Sequence, residues 1–476
     1  MLQLDSDKIP NVPSHIHLDR KYTIYPILGI VATVIGTSSA LILIPEDPYP
    51  AGALFSSAVA MTIGIAFAPA LATFRNAQTA LRAEHIIVLS PIYWLLLDLL
   101  QSAYALESVT KEGINGGFIA IGLFVCSIWG ASLLRPWSLP KSLKSAASHA
   151  ITTKTLFNLI LVFFTLGIFK YAYPCDFNPQ TMISYALQNR WAGPWARGQL
   201  GGWDAFLDHA GYFGYLLPTL TVLLTSKIGW FKPKAIISII LTLIMALFLA
   251  QGGGRRVIGV IFGAAIICWT IDQRQLNIRR VIAVMLSIGT LLFSMQSILE
   301  YRNTGFEGAF YEDKPTSHYS YLHVDDNFLR LSQIIDIIPQ YSPYVYEKQI
   351  FFTLVRPIPR VFWADKPIDA GFDLPSTLGK SGVSLSSSVI GEWYISMGWL
   401  AVCFGGWFYG SLARMASTLL IRDLESSGRL VYSLMLMILF AGVRSMQDLI
   451  IMSYSLLAWM LISKIVLPKV NHSSSR

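Results

Sequence analysis

Apolar runs long enough to cross roughly 30 Å of hydrocarbon as helices recur about twelve times between Thr23 and Val466. They lie near residues 24–44, 51–74, 85–106, 117–134, 155–173, 209–226, 235–250, 257–271, 281–299, 386–413, 430–443 and 449–467. A chain so divided folds in a bilayer. The composition agrees, since 54% hydrophobic and 13% charged residues with a mean hydropathy of +0.52 fall well outside the soluble norm. The expected fold is all-α, a polytopic membrane protein with about 12 transmembrane helices and one large external loop. Neither a 20–50-residue repeat nor a low-complexity tract appears, and nothing suggests a separate soluble domain.

Orientation follows from Lys and Arg in the short connections. Arg75 and Arg82; Arg135, Lys141, Lys144 and Lys154; Lys227, Lys232 and Lys234; Arg274, Arg279 and Arg280; and Arg414, Arg422 and Arg429 occupy every second loop. Those loops are expected to be cytoplasmic. The chain then divides into a cytoplasmic tail (1–22), transmembrane helices one to nine (23–299), a large external loop (300–385), helices ten to twelve (386–467) and a second cytoplasmic tail (468–476). The first 22 residues are polar, and the run after them shows no small-residue cleavage site, so an uncleaved first helix is expected rather than a signal peptide. The net charge of +8 reads as an orientation signal and not as a nucleic-acid footprint. Cys126, Cys268 and Cys403 fall inside spans, leaving Cys175 alone near water, so no disulfide framework or metal-ligand spacing can be built.

Arginines that break the alternation carry the information. Arg190, Arg197, Arg255, Arg256, Arg302, Arg330, Arg356, Arg360 and Arg444 fall on the outer side. Single ones such as Arg190, Arg302 and Arg330 read equally as solvated or snorkelling side chains. The three tryptophans of "RWAGPWARGQLGGW" (190–203) suit interfacial anchoring as well as sugar stacking. "GGGRR" (252–256) is different. The runs on either side reach only roughly 22–24 Å of the 30 Å needed, so the hinge is expected below the surface, where a cation is costly unless it faces a cavity. Arg255 and Arg256 also open a helix, whose N-terminal dipole disfavours cations. An anion reverses that sign: free helix N–H groups, close-approaching glycines and two guanidiniums make a seat for phosphate or diphosphate.

The external loop repeats the theme. "DDNFLRLSQIIDIIP" starts at Asp325 and Asp326 and carries Phe328, Leu331, Ile334, Ile335 and Ile338 on one face, which predicts an amphipathic helix on the membrane or over a cavity. The two aspartates read as helix caps, or as a base or metal-binding pair. In "RPIPR" the prolines stiffen the backbone that presents Arg356 and Arg360, with Trp363 as a flat apolar surface and Lys366 as a further cation. Glu392 lies just inside the next apolar run, where a carboxylate is either functional or ion-paired with an arginine.

These residues resemble a family. Many-spanning O-antigen and exopolysaccharide repeat-unit polymerases of the Wzy type carry a "PRxxWxxKP" signature in a large outer loop and a "GExY" and glycine pattern at the next helix. Pro359, Arg360, Trp363, Lys366 and Pro367 match the first; Gly391, Glu392, Tyr394 and Gly398 match the second. "GGGRR" is similar to the arginine turn before a mid-chain helix in these polymerases, whereas Ser396 and Met397 stand where Asn and an aromatic are common. The resemblance implies a GT-C-like fold in a bacterial inner membrane, both termini cytoplasmic, and transfer of a glycan from one polyprenyl-diphosphate carrier to the sugar on another at the outer face. It implies no cofactor or metal. Partners would be the donor and acceptor lipid-linked oligosaccharides, membrane lipids, and a chain-length regulator and flippase. On that reading Arg255, Arg256 and Arg360 stabilise the leaving diphosphate, and Glu392 is the first nominee for general base, ahead of Asp325 and His209. Arg356, Trp363, Lys366, Tyr394 and Arg444 bind substrate. Rival readings are an O-antigen ligase and a lipid-linked oligosaccharide flippase or transporter. No "GxxxxGK[ST]", "HExxH" or Cys/His cluster points to an ATPase or metallohydrolase.

Overall fold

The structure is a computed structural model that describes residues 24–196, 205–251, 254–272, 278–306, 320–356, 358–380, 385–420 and 424–466. Both predicted tails, Arg197 and the first two glycines of "GGGRR" lie outside the described residues. Among the described residues the regular structure is all helical.

The chain opens with α1 (Ile24–Ile42) packed on α2 (Phe55–Arg75). A continuous helix over Ala83–Leu100 follows, made of α3 (Ala83–Pro91), a π segment (Ile92–Leu96) and α4 (Leu97–Leu100), and then α5 (Lys111–Leu133). Short α6 (Lys141–Ala146) leads to α7 (Thr153–Ala172), and α8 (Pro179–Leu187) precedes α9 (Ala205–Gly214) and α10 (Leu217–Ile228). Next come α11 (Pro233–Gln251), α12 (Arg255–Asp272) and α13 (Ile278–Glu300). The long connection holds α14 (Asn327–Ile337), α15 (Lys348–Val355) and α16 (Leu374–Thr377), before α17 (Ser388–Leu420), α18 (Ser426–Gly442) and α19 (Met446–Val466).

Among the described residues nine helices are long and apolar enough to cross a membrane, so the protein is a multi-pass membrane protein whose described regular structure is all helical. Three expected spans take another form. The run at 209–226 is split into α9 and α10 at Tyr215 and Leu216, where Pro218 has no N–H to continue the ladder. The 17 residues of α18 make a shorter apolar helix, and α12 carries charges at both ends. Elsewhere α17 runs on to Leu420 but breaks at Met397 and Gly398. Gly398 has φ 63°, and a Cβ there would lie 2.7 Å from the Tyr344 hydroxyl, so the break requires glycine.

Hydrogen bonds sort the connections into two ends. At one end Leu106 N–H donates to Tyr49 O at 2.8 Å and Arg190 N–H to Arg302 O at 3.1 Å. At the other, Ser427 N–H donates to His149 O at 3.2 Å, the Lys227 ammonium to Ile151 O at 2.6 Å, and Arg429 pairs with Asp272. Residues 320–337 belong to the first end and are inlaid in the bundle. Gln101 exchanges two bonds with Leu322 (3.1 and 2.9 Å), Asn327 Nδ2 donates to Trp94 O at 2.8 Å, and Gln333 Nε2 to Glu107 O at 3.0 Å. The expected amphipathic helix is therefore not a surface helix. In α14 the polar Arg330, Ser332 and Gln333 are buried along with Phe328, Leu331 and Ile334, because α5 and α17 cover it. Arg330 neither snorkels nor waits for an anion; it pairs with Asp326 and donates to Gln333 Oε1 at 3.0 Å. Cys175, expected near water, is buried.

Candidate anion-binding cavity

Where α11 turns into α12, a cavity of about 690 Å³ opens at the end of the bundle that carries the long connection. Its lining includes Lys170, Arg190, Arg255, Arg256, Arg302, Arg356, Lys366 and Arg444, against the carboxylates of Asp208 and Asp325. Eight basic groups facing two acidic ones give the cavity an excess of positive charge.

The helices bordering the hinge run longer than the apolar runs suggested. With 19 residues in α11 and 18 in α12 they span about 27–29 Å at 1.5 Å per residue, close to the roughly 30 Å of hydrocarbon, so their length does not require a hinge deep below the surface. Arg255 is buried by protein instead. Its Nη1 donates to His323 O at 2.8 Å and its Nη2 to Val324 O at 3.1 Å and to Asp325 Oδ1 at 2.6 Å. A Cβ on Gly254 would fall 2.6 Å from Leu249 O, so the hinge can close this tightly only with glycine there.

Arg255 and Arg256 are not uncompensated. Arg256 Nη1 reaches both Asp448 oxygens at 2.8 Å. Arg444 links the two pairs, with Nε donating to Asp325 Oδ2 at 2.5 Å and Nη1 to Asp448 Oδ2 at 3.0 Å. Three guanidiniums thus share two carboxylates, leaving one positive charge. Burial pushes the Asp325 carboxyl up, but the Arg444 and Arg255 guanidiniums override it and hold the group well below the usual carboxylate range. A carboxylate so held is a weak proton acceptor, which counts against Asp325 as a general base. Nor are the two aspartates helix caps: Asp326 precedes α14 with φ 45° and makes no side-chain cap bond. Instead Asp98 accepts the N–H groups of Val324 at 3.3 Å and Asp326 at 3.2 Å.

The rest of the basic lining is built differently. Arg190 stacks 4.2 Å from the Trp191 ring centroid, and Arg356 lies 5.3 Å from that of Phe352. Neither enters an ion pair with a described residue. Burial and the neighbouring Arg302 both lower Arg190 from its ordinary value, as expected where two cations stand close together. Trp195 Nε1 donates to Gln251 Oε1 at 2.9 Å, and Gln251 Nε2 to Asn189 O at 3.0 Å, which fixes this part of the lining to the end of α11.

Comparisons with family models, curated proteins and solved structures return no match. The cavity is therefore read from its own geometry.

Several nominated residues stand apart from it, and others reach it from a separate turn. Pro359, Trp363 and Lys366 belong to a self-closing turn: Phe362 N–H donates to Pro359 O at 3.0 Å, Arg360 Nη1 to Ala364 O at 2.9 Å, and Lys366 Nζ to Arg356 O and Ile358 O at 2.8 and 2.7 Å. That turn aims Arg356 and Lys366 at the cavity, whereas Arg360 and Trp363 are not among its lining residues. Tyr394 is buried and donates to Ile338 O at 3.3 Å, away from the lining. Glu392, the first nominee for general base, is 6% exposed and absent from the lining; its oxygens accept from Ser445 Oγ at 2.9 Å and Met446 N–H at 2.6 Å. His209 does line the cavity, beside Asp208, which pairs with Lys170 at 2.7 Å. Asp208 and Asp448 escaped the sequence reading. The signal for Asp448 was present, as an acidic residue four positions after Arg444 in an apolar stretch.

Proposed function

We propose that this protein is a membrane glycosyltransferase that polymerises polyprenyl-diphosphate-linked oligosaccharide repeat units at the outer face of a bacterial inner membrane. The observation that carries the reading is the cavity with excess positive charge at one end of a membrane-spanning bundle. A second feature supports it. A groove of about 810 Å³, lined by apolar side chains that include Leu243, Leu247, Ile258, Phe262, Leu286 and Leu291, runs along α10–α13. Ala250 and Ile258 line the groove while Leu249, Gln251 and Val257 line the cavity, so the end of α11 and the start of α12 form a wall common to both. That arrangement suits a lipid whose tail lies in the membrane and whose diphosphate stands among guanidiniums. With α12, α18 and the broken α9–α10 unit added to the nine long helices, the chain would cross about twelve times, as a GT-C-like transferase does.

In the reaction the acceptor hydroxyl attacks the anomeric carbon of the donor, the bond to the diphosphate oxygen breaks, and the lipid diphosphate leaves with the electron pair. Arg256 and Arg444 from one part of the lining and Arg356 and Arg190 from the other stabilise that charge. The hydroxyl proton passes to a group at the cavity, for which His209 and Asp208 are placed. The test is purified protein in proteoliposomes with a defined diphosphate-linked repeat unit. A ladder of products increasing by one unit is expected. Transfer only to an added lipid A–core acceptor would indicate a ligase, and movement of the carrier across the bilayer without transfer would indicate a flippase; either outcome overturns the reading.

A further inference from the structure

Glu392 does not line the cavity, yet it is bonded to the turn that carries the most connected arginine of the site. We propose that Glu392 is a positioning residue: it caps α19 from outside that helix and so fixes where the Arg444 guanidinium stands. This assignment rests on the reading of the cavity as an anion site.

The first N–H groups of a helix lack intrahelical acceptors, and a carboxylate placed there is favoured by both hydrogen bonding and the helix dipole. At the 21-residue α19 the acceptors come from two sources. Glu392 takes the Met446 N–H at 2.6 Å. Ser445 Oγ takes the Gln447 N–H at 3.1 Å while donating its own proton to Glu392 at 2.9 Å. The carboxylate thus orients the serine hydroxyl, whose lone pair then serves the second orphan amide. Two further bonds join α17 to the same turn: Val389 N–H donates to Val443 O at 3.1 Å, and the Tyr409 hydroxyl donates to Gly442 O at 2.8 Å. Residues 442–446 are therefore held from both halves of the broken α17. Arg444 lies in the middle of that stretch and bridges Asp325 to Asp448.

The break at Met397 and Gly398 acquires a purpose here. It frees the first half of α17, capped by Ser388 Oγ on the Gly391 N–H at 3.2 Å, to stand at its own angle and put Glu392 against the start of α19. A general base would have to face the acceptor; a cap has to face the amides, and Glu392 does.

Hydrogen exchange and anion binding of the full chain in nanodiscs test the assignment, with inorganic pyrophosphate as probe. Glu392→Ala should raise amide exchange in a peptide spanning 440–450 and weaken pyrophosphate binding about tenfold, the loss expected when a charged hydrogen-bond partner goes. Glu392→Gln should retain protection and bind within about threefold of wild type, because an amide oxygen still accepts from Met446 and the amide NH₂ donates to Ser445. In an Arg444→Ala background, Glu392→Ala should cause no further loss, since it acts through Arg444. If the Glu392→Ala protein does not fold, Ser445→Ala removes one of the same bonds and should show the same pattern at smaller size. Unchanged exchange in Glu392→Ala, additive losses in the double variant, or a Glu392→Gln protein that binds normally but transfers nothing would overturn the proposal, the last restoring Glu392 as a base. Should wild type bind no pyrophosphate, the anion reading of the cavity fails, and the exchange arm still decides the role of Glu392.

Discussion

Two parts of the cavity lining hold their arginines by opposite means. In one part Arg255, Arg256 and Arg444 are fixed by Asp325 and Asp448; in the other Arg190 and Arg356 lie over the faces of Trp191 and Phe352. A guanidinium bonded to carboxylates is rigid, but part of its N–H fork is occupied and most of its charge is cancelled. One stacked on an aromatic ring keeps its edge donors and its charge, at the cost of a weaker hold. The first part is suited to holding a charge that develops in one place, and the second to admitting and adjusting an anionic ligand.

The sharpest way to break this contrast is at Asp325. Asp325→Ala leaves two guanidiniums short of a counter-ion, and stability should fall by about 3–5 kcal/mol, read from unfolding in detergent. A neutral result would mean that the carboxylates do not hold the first part. Next in size, Arg444→Lys should lower transfer by about a hundredfold, since an ammonium cannot bridge two carboxylates at fixed angles, whereas Arg190→Lys keeps its charge over the ring and should cost far less. Equal losses at both sites would erase the distinction.

Acid gives a third measure. Burial, with Arg255 beside it, lowers His323 to about 4, while the unfolded chain takes up a proton near pH 6.5, so stability should decline as pH falls from 7 to 5. His323→Gln should flatten part of that decline. Asp325, held below the usual range, keeps its pairs throughout that window because its contribution is lost only below the unfolded carboxylate value of about 4. Melting temperatures of wild type, His323→Gln and Asp325→Asn against pH separate the two groups. Smaller again, Trp191→Leu removes a cation–π contact worth about 0.5–1 kcal/mol, and should raise the KM for the donor a few-fold with melting unchanged. Arg360→Ala should change transfer least, by less than about twofold, as an exposed side chain away from the cavity; a large loss would return it to the site.

Much of this was legible in the sequence, and the limit falls at a definite place. Apolar run length located the long helices, and charge out of place located Arg255, Arg256, Arg356 and Arg444 at one end. Partners were not legible: Arg255 and Asp325 are 70 residues apart, and Arg256 and Asp448 are 192 apart, and no local pattern encodes such a pairing. Direction was also hidden. Arg356 and Arg360 share one stiff segment, and only the turn closed by Lys366 decides that the first faces the cavity and the second does not. Glu392 looked catalytic because intramembrane carboxylates so often are; the amides that claim it belong to a helix beginning more than fifty residues later.

Those sequence separations also set a timetable for biogenesis. A ribosome adding roughly 5–20 residues per second makes Arg256 about 10–40 s before Asp448, and Arg255 several seconds before Asp325. The α11–α12 hairpin must therefore enter the membrane with two arginines whose counter-ions do not yet exist, held meanwhile by water or lipid phosphate at the interface. Neutralisation of Arg256 waits for α19. Quality control that senses unpaired charge in a nascent membrane protein would find its signal here until α19 is in place.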